Sequence, residues 1–279
     1  MKIALFNDFQ LGVVKGDRIF DVGAVVQWDS WNPQASLENL FECYADLKSH
    51  IEDYLVTARS YPLSNVNLRP PVPKPGKIVA APVNYYLHQD EMNAQFDNAA
   101  YTIENLGFFL KAPSSIIGPG ETVKLPFPER RTDHEAELAF VVGKRAKDVP
   151  ASEASEYIFG YFALMDITVR GIEDRPWRKS FDTFTPIGPW MVTIDEIGNP
   201  NELDLRLWVN NELRQSANTR DLIYDCYKFF EAASAVMTLE PGDILTTGTP
   251  EGVGPITKGD RVRIQIDGIG EFSVSVDYK

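Results

Sequence analysis

The chain has 279 residues, a formal net charge of −13, 44 % hydrophobic residues and two cysteines. This length and apolar content suffice for one large domain, or one large and one small domain, with a sizeable core. The negative charge disfavours nucleic acid as a partner, because phosphate binding needs a basic surface. No apolar run is long enough to span a membrane. Since Cys43 and Cys226 lie far apart, we expect a cytoplasmic protein without a disulfide framework.

The first 70 residues predict a small N-terminal domain. Two strand-like segments on either side of Gly16 are typical of a β-hairpin or meander. Ser36 then stands where it can cap a helix whose apolar side chains recur every 3.6 residues. These side chains are Leu37, Leu40, Phe41, Tyr44, Leu47, Ile51 and Leu55. Prolines at positions 70, 71, 73 and 75 exclude a helix or a central strand, and so predict a semi-rigid linker that ends this domain.

Residues 71–279 predict a strand-rich α+β body, or one like a β-sandwich. Apolar runs at 77–85, 136–143 and 158–169 indicate buried strands. Alternating patterns at 204–214 and 261–278 predict two hairpins about an Asn-Asn turn and a Gly-rich turn. One helix is predicted over roughly 221–239. Its apolar face comprises Leu222, Cys226, Phe229, Ala233 and Val236.

Two carboxylates stand at the start of the second buried strand. In a strand, Glu135 and Glu137 project to one face, while Ala136, Leu138 and Phe140 project to the other. Adjacent carboxylates near a core need a compensating cation, and their oxygens suit Mg²⁺, Mn²⁺ or Ca²⁺. The alternative is that this acidic face lies in solvent.

A third carboxylate, Asp166, is embedded in the apolar run of the third strand. In strand phase it shares a face with Thr168 and Arg170. An Asp in so apolar a run needs a partner. It either pairs with Arg170 or faces the two glutamates and completes an all-oxygen metal site.

The chain has three histidines, of which His88 is the candidate general base. If a helical turn begins there, His88 and Glu91 touch at i and i+3, and a carboxylate that orients an imidazole is the geometry of a base. The alternative is an ordinary surface pair. His50 is expected on the surface, and His134, in the opposite strand phase to the glutamates, is expected to be structural.

Lys111 and Lys179 both lie beside apolar residues, where a lysine either extends its ammonium to solvent or binds an anion. The Gly-rich segment 246–254 lacks the lysine of a nucleotide-binding P-loop. Its backbone and the Thr249 hydroxyl are suited to contact a small anionic ligand.

Six segments from Lys77 onward, in this order, resemble the fumarylacetoacetate hydrolase family. They are KIVAAPVNYYLHQDE, FFLKAPSSIIGPGE, DHEAELAFVVGK, GYFALMDITVR, KSFDTFTPIGPW and LTTGTPEGVG. The resemblance implies a mixed β-roll or β-sandwich C-terminal domain, with a small α+β N-terminal domain, that usually forms a homodimer. The site residues that it implies are Glu135, Glu137 and Asp166 for the metal, His88, Glu91 and Lys179 for catalysis, and Tyr85, Lys111, Arg170 and Thr249 for substrate binding.

The activity that this resemblance implies is hydrolysis of the C3–C4 bond of an acylpyruvate, a small anionic dicarbonyl compound, in the degradation of aromatic compounds. It implies a Mg²⁺ or Mn²⁺ ion (Ca²⁺ in crystals), water activated by His88, and an enolate whose charge the metal and Lys179 stabilise. The alternatives on the same site are oxaloacetate decarboxylation or tautomerisation and the dehydration of a sugar acid. A metal-stabilised binding module is the non-enzymatic alternative.

Three features depart from the family pattern. Gly171 stands where many members have Asp, and Glu173 stands where close relatives often have Gln. If Glu173 lines the pocket, its charge disfavours a second carboxylate on the substrate. Residues 92–107 form a longer segment than in compact members, which predicts a larger lid.

Overall fold

The computed structural model describes residues 1–96 and 102–279, and it confirms the predicted strand-rich α+β fold. The elements before the proline-rich segment are four strands and one long helix. They are β1 (Lys2–Phe6), β2 (Gln10–Lys15), β3 (Arg18–Asp21), α1 (Pro33–Tyr54) and β4 (Ser60–Pro62).

After the proline-rich segment, strands predominate and most helices are short. The elements up to residue 169 are β5 (Ile78–Ala80), α2 (Tyr86–Phe96), α3 (Ile103–Leu106), β6 (Phe109–Lys111), β7 (Ile116–Ile117), β8 (Thr122–Leu125), β9 (Thr132–His134), β10 (Ala136–Val142), β11 (Ile158–Met165) and β12 (Thr168–Val169). The remaining elements are α4 (Arg175–Lys179), β13 (Thr185–Thr193), α5 (Ile194–Ile197), β14 (Asp204–Val209), β15 (Glu212–Asn218), α6 (Cys226–Val236), β16 (Ile244–Thr246), β17 (Gly254–Pro255), β18 (Arg261–Ile266) and β19 (Gly270–Tyr278). Single 3₁₀ turns lie at Gly23–Val25, Leu63–Asn65, Pro113–Ser115, Ala154–Glu156 and Thr219–Asp221.

One 11-stranded sheet runs through the molecule in the order β4-β3-β2-β1-β13-β11-β10-β16-β5-β6, and β7 pairs with β13. The N-terminal meander joins the sheet where β1 pairs with β13, with Lys2 opposite Val192. Strands from both sides of the proline-rich segment therefore share one sheet. The division into domains 1–70 and 71–279 stays a prediction.

The central strand β10 is buried on both faces, as its nearly continuous apolar sequence predicts. Leu138 and Phe140 belong to a core shared with α6 and a five-stranded sheet of order β15-β14-β18-β19-β8. Ala139 and Val141 belong to a second core on the opposite face, which α1 covers. Because its side chains alternate between the two faces, β10 contributes to both cores.

Helix α1 begins at Pro33, three residues before the predicted cap at Ser36, so that prediction is wrong. Proline suits the first helical position, because its fixed φ matches the helix and its missing N–H has no partner there anyway. The Ser36 hydroxyl instead accepts a hydrogen bond from the Asp29 amide at 3.1 Å. The predicted apolar stripe faces the sheet, where Phe41 packs on Phe159 at 4.2 Å between ring centroids.

Helix α6 begins at Cys226 rather than near residue 221, because Asp225 caps it. The Asp225 carboxylate accepts hydrogen bonds from the amides of Tyr227 at 3.0 Å and Lys228 at 2.8 Å. Val236, predicted on the buried face, is 67 % exposed at the end of the helix. Both cysteines are free. Within the residues that the structure describes, no helix is long and apolar enough to cross a membrane.

Candidate metal centre and active-site cavity

Three acidic residues, Glu135, Glu137 and Asp166, form a buried cluster that we call the carboxylate triad. Each of them supplies an oxygen that lies within 4.8 Å of the others. The antiparallel pairing of β10 with β11 brings them together, and the Asp166 amide donates to the Glu135 carbonyl at 2.8 Å. All three are at most 6 % exposed, so the alternative of an acidic face in solvent is wrong.

Glu135 is held by two cations. Its carboxylate accepts hydrogen bonds from Lys179 at 2.6 Å and from Arg170 at 3.1 Å. Burial opposes ionisation, but these two positive charges hold the pKa of Glu135 down to about 2. The Lys179 ammonium also donates to Asp166 and to the Thr168 hydroxyl, each at 2.7 Å. Lys179 therefore bridges two members of the triad.

Asp166 pairs with lysines and not with Arg170. Besides Lys179, its carboxylate accepts a hydrogen bond from Lys111, whose ammonium also donates to the Phe184 carbonyl at 3.0 Å. Arg170 instead donates to Asp133 at 2.6 Å and to Glu135. The alternative in which Asp166 pairs with Arg170 is therefore wrong.

Glu137 lacks such a counter-ion. It accepts hydrogen bonds from the Thr246 hydroxyl and from the Gly248 amide, the latter at 3.0 Å. In the described part of the chain, no cationic side chain lies within ion-pair distance of it. Burial, followed by the negative charge of Asp166, raises the pKa of Glu137 to about 8. A divalent cation would offset this charge, and an all-oxygen donor set suits Mg²⁺, Mn²⁺ or Ca²⁺, so the triad fits a divalent metal.

His88 and Glu91 lie in the first turns of α2, as their spacing predicts. The His88 Nδ1 lies 2.9 Å from a carboxylate oxygen of Glu91. His88 is only 6 % exposed and lines a cavity, whereas Glu91 is partly exposed, so this is not an ordinary surface pair. When Nδ1 donates to Glu91, Nε2 carries the lone pair that can accept a proton. His50, by contrast, is exposed on α1.

The cavity contains six of the ten predicted site residues in its wall: His88, Glu135, Glu137, Arg170, Lys179 and Thr249. Three further predicted residues contact residues of this wall or lie one contact away from it. Asp166 accepts a hydrogen bond from Lys179, Lys111 donates to Asp166, and Glu91 contacts His88. Val83 and Phe109 supply apolar surface to the same wall. The cavity thus combines the triad, a base and several cations.

Tyr85 and Lys111 are predicted substrate contacts that the structure buries. Tyr85 is 1 % exposed, and its hydroxyl has no hydrogen-bond partner within the described residues. Burial raises the pKa of Tyr85 well above its ordinary value. For Lys111, burial lowers the pKa, although the negative charge of Asp166 opposes this shift. Neither side chain belongs to the described cavity wall.

Sequence reasoning missed Gln215, a buried residue of β15 that supports the cavity. Its side-chain amide donates to the Thr249 hydroxyl at 2.8 Å and to the Pro250 carbonyl at 3.0 Å. Its carbonyl oxygen accepts from the Ala136 amide at 3.0 Å. The same oxygen lies 3.2 Å from Nδ1 of the buried His134. Gln215 therefore ties the segment of Thr249 to the strand that carries the triad.

Arg175 and Arg178 of α4 also line the cavity and were missed. A density of three cations in five residues was the signal available in the sequence. Glu173, just before α4, is bound by both terminal nitrogens of Arg130 at 2.9 and 2.8 Å. Glu173 does not belong to the described cavity wall, so it is not placed to repel a substrate carboxylate there.

The segment predicted to form a larger lid is described only in part. Helix α2 extends to residue 96, and α3 occupies Ile103–Leu106. Residues 97–101 lie outside the described residues. The lid therefore stays a prediction.

Comparison with known proteins gives a consistent pattern. Residues 77–277 match the family model described as the C-terminal domain of fumarylacetoacetate hydrolase. A maleylpyruvate hydrolase of Aquipseudomonas alcaligenes is 45 % identical and is covered over 99 % of both chains. A mitochondrial oxaloacetate tautomerase of Xenopus laevis is 36 % identical, over 75 % of this chain and 68 % of the relative.

The fold is also similar to that of a solved structure with a metal. The crystal structure of a maleylpyruvate hydrolase from Sphingobium sp. SYK-6, in complex with manganese(II) and pyruvate, has a TM-score of 0.90 and 45 % sequence identity. The match covers 100 % of this chain and 99 % of that one.

Proposed function

Because the chain belongs to the fumarylacetoacetate hydrolase family and is a metal-dependent hydrolase of carbon–carbon bonds in acylpyruvates, we propose that it cleaves maleylpyruvate or a 2,4-dioxo acid of similar shape. The observation that carries this proposal is one cavity that combines the carboxylate triad with the His88–Glu91 pair. The full-length likeness to two maleylpyruvate hydrolases supports the choice of substrate.

The anionic pyruvate part of the substrate binds at the end of the cavity that carries the triad. Glu135, Glu137 and Asp166 would hold a divalent cation, Mn²⁺ or Mg²⁺, which would supply Lewis-acid stabilisation of the negative charge that develops in the reaction. Arg170 and Lys179 add positive charge to the same wall. The Thr249 hydroxyl, held by Gln215, provides a further polar contact for the substrate carboxylate.

His88 moves the proton. With Glu91 on Nδ1, His88 takes a proton from water at Nε2, and the remaining hydroxide forms a bond to the C4 carbonyl carbon. The C3–C4 bond then breaks, and its electron pair stays on the pyruvate fragment as an enolate. The proton on His88 passes to C3, so the products are pyruvate and the carboxylic acid of the acyl group. Lys179, which lines the cavity beside the triad, adds positive charge that stabilises the enolate.

Lys111 and Tyr85 act from outside the cavity wall. Since Lys111 contacts Asp166 and is buried, we propose that it affects substrate binding through that carboxylate. Tyr85 lies just before α2, where its buried ring fixes the start of the helix that carries His88. The enzyme works as a cytoplasmic homodimer in the degradation of aromatic compounds.

The second candidate activity is tautomerisation of oxaloacetate, which the more distant tautomerase relative favours. Tautomerisation also passes through an enolate but consumes no water. Hydrolysis therefore requires a base that activates water, whereas tautomerisation and decarboxylation do not.

The test is a substrate panel on metal-depleted protein with and without added Mn²⁺ or Mg²⁺. The panel contains maleylpyruvate, fumarylpyruvate, acetylpyruvate and oxaloacetate, and the products are identified by chromatography. We expect maleylpyruvate to be hydrolysed fastest, and only when metal is present. Faster conversion of oxaloacetate than of every acylpyruvate would overturn the proposal. Full activity after exhaustive chelation would remove the metal from the reaction.

A further inference from the structure

The part of the cavity wall formed by α4 is rich in cations. Arg175 and Arg178 are half-buried and line the cavity together with Lys179. Lys179 is already paired with two members of the triad, and Arg170 is paired with Asp133 and Glu135.

Arg178 has a different environment from these paired cations. Its Nε donates to the Glu173 carbonyl at 2.7 Å, while the Glu173 carboxylate is taken by Arg130. Among the residues that the structure describes, no carboxylate lies within ion-pair distance of Arg178. Burial, followed by the positive charges of Arg170 and Arg175, lowers the pKa of Arg178. Glu135 and Glu173 oppose this shift only weakly. An anion bound beside Arg178 would offset the unfavourable free energy of this half-buried positive charge.

Helix α4 is held firmly enough to position a ligand. Trp177 stacks on Phe127 with ring centroids 6.1 Å apart and meets Phe181 edge-on at 5.0 Å. The Arg130 guanidinium lies 5.3 Å from the ring centroids of both Trp177 and Phe127. The helix also packs beside β6 and β12. The arginines thus project from an anchored element.

We propose that Arg178, together with Arg175, forms a subsite for a terminal carboxylate on the acyl group of the substrate. This inference rests on the proposed function and deepens it. The pyruvate end of the substrate binds near the triad, and the far end of the acyl group reaches α4 in the same cavity. A guanidinium binds a carboxylate through two parallel hydrogen bonds, which gives both affinity and orientation. The enzyme therefore selects acylpyruvates whose acyl group is itself an acid.

The first test compares diacid and monoacid substrates. For Arg178→Met, we expect kcat/KM for maleylpyruvate to fall by about 10- to 100-fold, since a hydrogen-bonded ion pair is lost. The kcat/KM for acetylpyruvate changes by no more than about twofold, because this substrate has no second carboxylate to pair with Arg178. The matched control is Arg145→Met, because Arg145 is an exposed arginine paired with Glu240.

The second test measures binding without turnover. In the Mn²⁺-loaded protein, calorimetry compares 2-oxoadipate with 2-oxohexanoate, which have the same chain length and differ in the terminal carboxylate. We expect the wild-type protein to bind the diacid at least about tenfold more tightly. Arg178→Met removes this preference, and Arg178→Lys restores part of it because the charge returns without the second hydrogen bond. Melting temperatures verify that each variant is folded.

The outcomes separate the subsite from the proposed function. If the wild type hydrolyses no acylpyruvate but binds 2-oxoadipate preferentially through Arg178, the substrate assignment fails and the subsite stands. If hydrolysis occurs but the wild type has no preference between the two probes, the subsite is wrong. An equal loss on maleylpyruvate and acetylpyruvate in Arg178→Met also contradicts it, because that result indicates a structural role.

Discussion

The two walls of the cavity are built differently. The triad wall lies on β10, β11 and the residues around them, where every residue of both strands is buried. Its carboxylates are each held by at least two hydrogen bonds. The other wall lies on the first turn of α2 and on Arg175 and Arg178 of α4. These two arginines, and the Glu91 that holds His88, are partly exposed. The first wall fixes the geometry of the chemistry, and the second can change without disturbing the core, which suits it to substrate selection.

The largest effect is expected in the triad wall. Glu137→Ala should abolish measurable binding of Mn²⁺ and lower kcat/KM by about 10³-fold or more, because several kcal/mol of charge stabilisation are lost. Calorimetry with Mn²⁺ and hydrolysis assays measure the two quantities. Glu153→Ala, at an exposed position, is the control. Undiminished Mn²⁺ affinity in Glu137→Ala would remove Glu137 from the metal site.

The next effect concerns the base on α2. His88→Ala should lower kcat for hydrolysis by about 10²- to 10⁴-fold, the usual contribution of a general base. The affinity for Mn²⁺ should stay unchanged, because His88 is not part of the triad. His50→Ala is the matched control, since His50 is an exposed histidine on α1. Full hydrolysis by His88→Ala would show that another group activates the water.

A smaller effect is expected where Gln215 joins the Thr249 segment to β10. Gln215→Ala should lower the free energy of unfolding by about 1–3 kcal/mol, because buried polar partners lose their hydrogen bonds. It should also raise KM more than it lowers kcat. Urea denaturation and steady-state kinetics test this expectation. Gln10→Ala, which removes a half-buried glutamine bonded to Asp21 at 3.4 Å, serves as the control. Equal stability of the two variants would contradict a supporting role.

The smallest effect is expected just outside the second wall. Glu173→Gln should change the ratio of kcat/KM for maleylpyruvate and acetylpyruvate by no more than about twofold, since a partly exposed ion pair outside the cavity wall contributes little. The Glu173 carboxylate binds Arg130 and lies outside the described cavity wall. A large rise in this ratio would mean that Glu173 does repel the second carboxylate in solution.

Much of the triad wall could be predicted from local sequence patterns. A strand places alternate residues on opposite faces, so the sequence around Glu137 predicts which neighbours enter the core. In the structure, Leu138 and Phe140 face one core, and Ala139 and Val141 face the other. The spacing of His88 and Glu91 likewise predicts their contact, because residues three apart meet on a helix.

The tertiary structure alone decided the partners that come from distant parts of the chain. The pairing of Lys111 with Asp166 crosses 55 positions, and no periodicity specifies it. Gln215 depends on a register shift: a bulge between Leu207 and Trp208 sets Gln215 opposite the buried Leu207, where simple counting from the hairpin turn would put Arg214.

The contrast between the two walls follows from the same physics. Local periodicity determined which side chains share a face, and the resemblance to the family then implied which of them form the metal site and the base. Strand register and the docking of α4 depend on contacts made across the whole molecule. For that reason, only the tertiary structure brought Gln215, Arg175 and Arg178 to the cavity and joined the N-terminal strands to the central sheet.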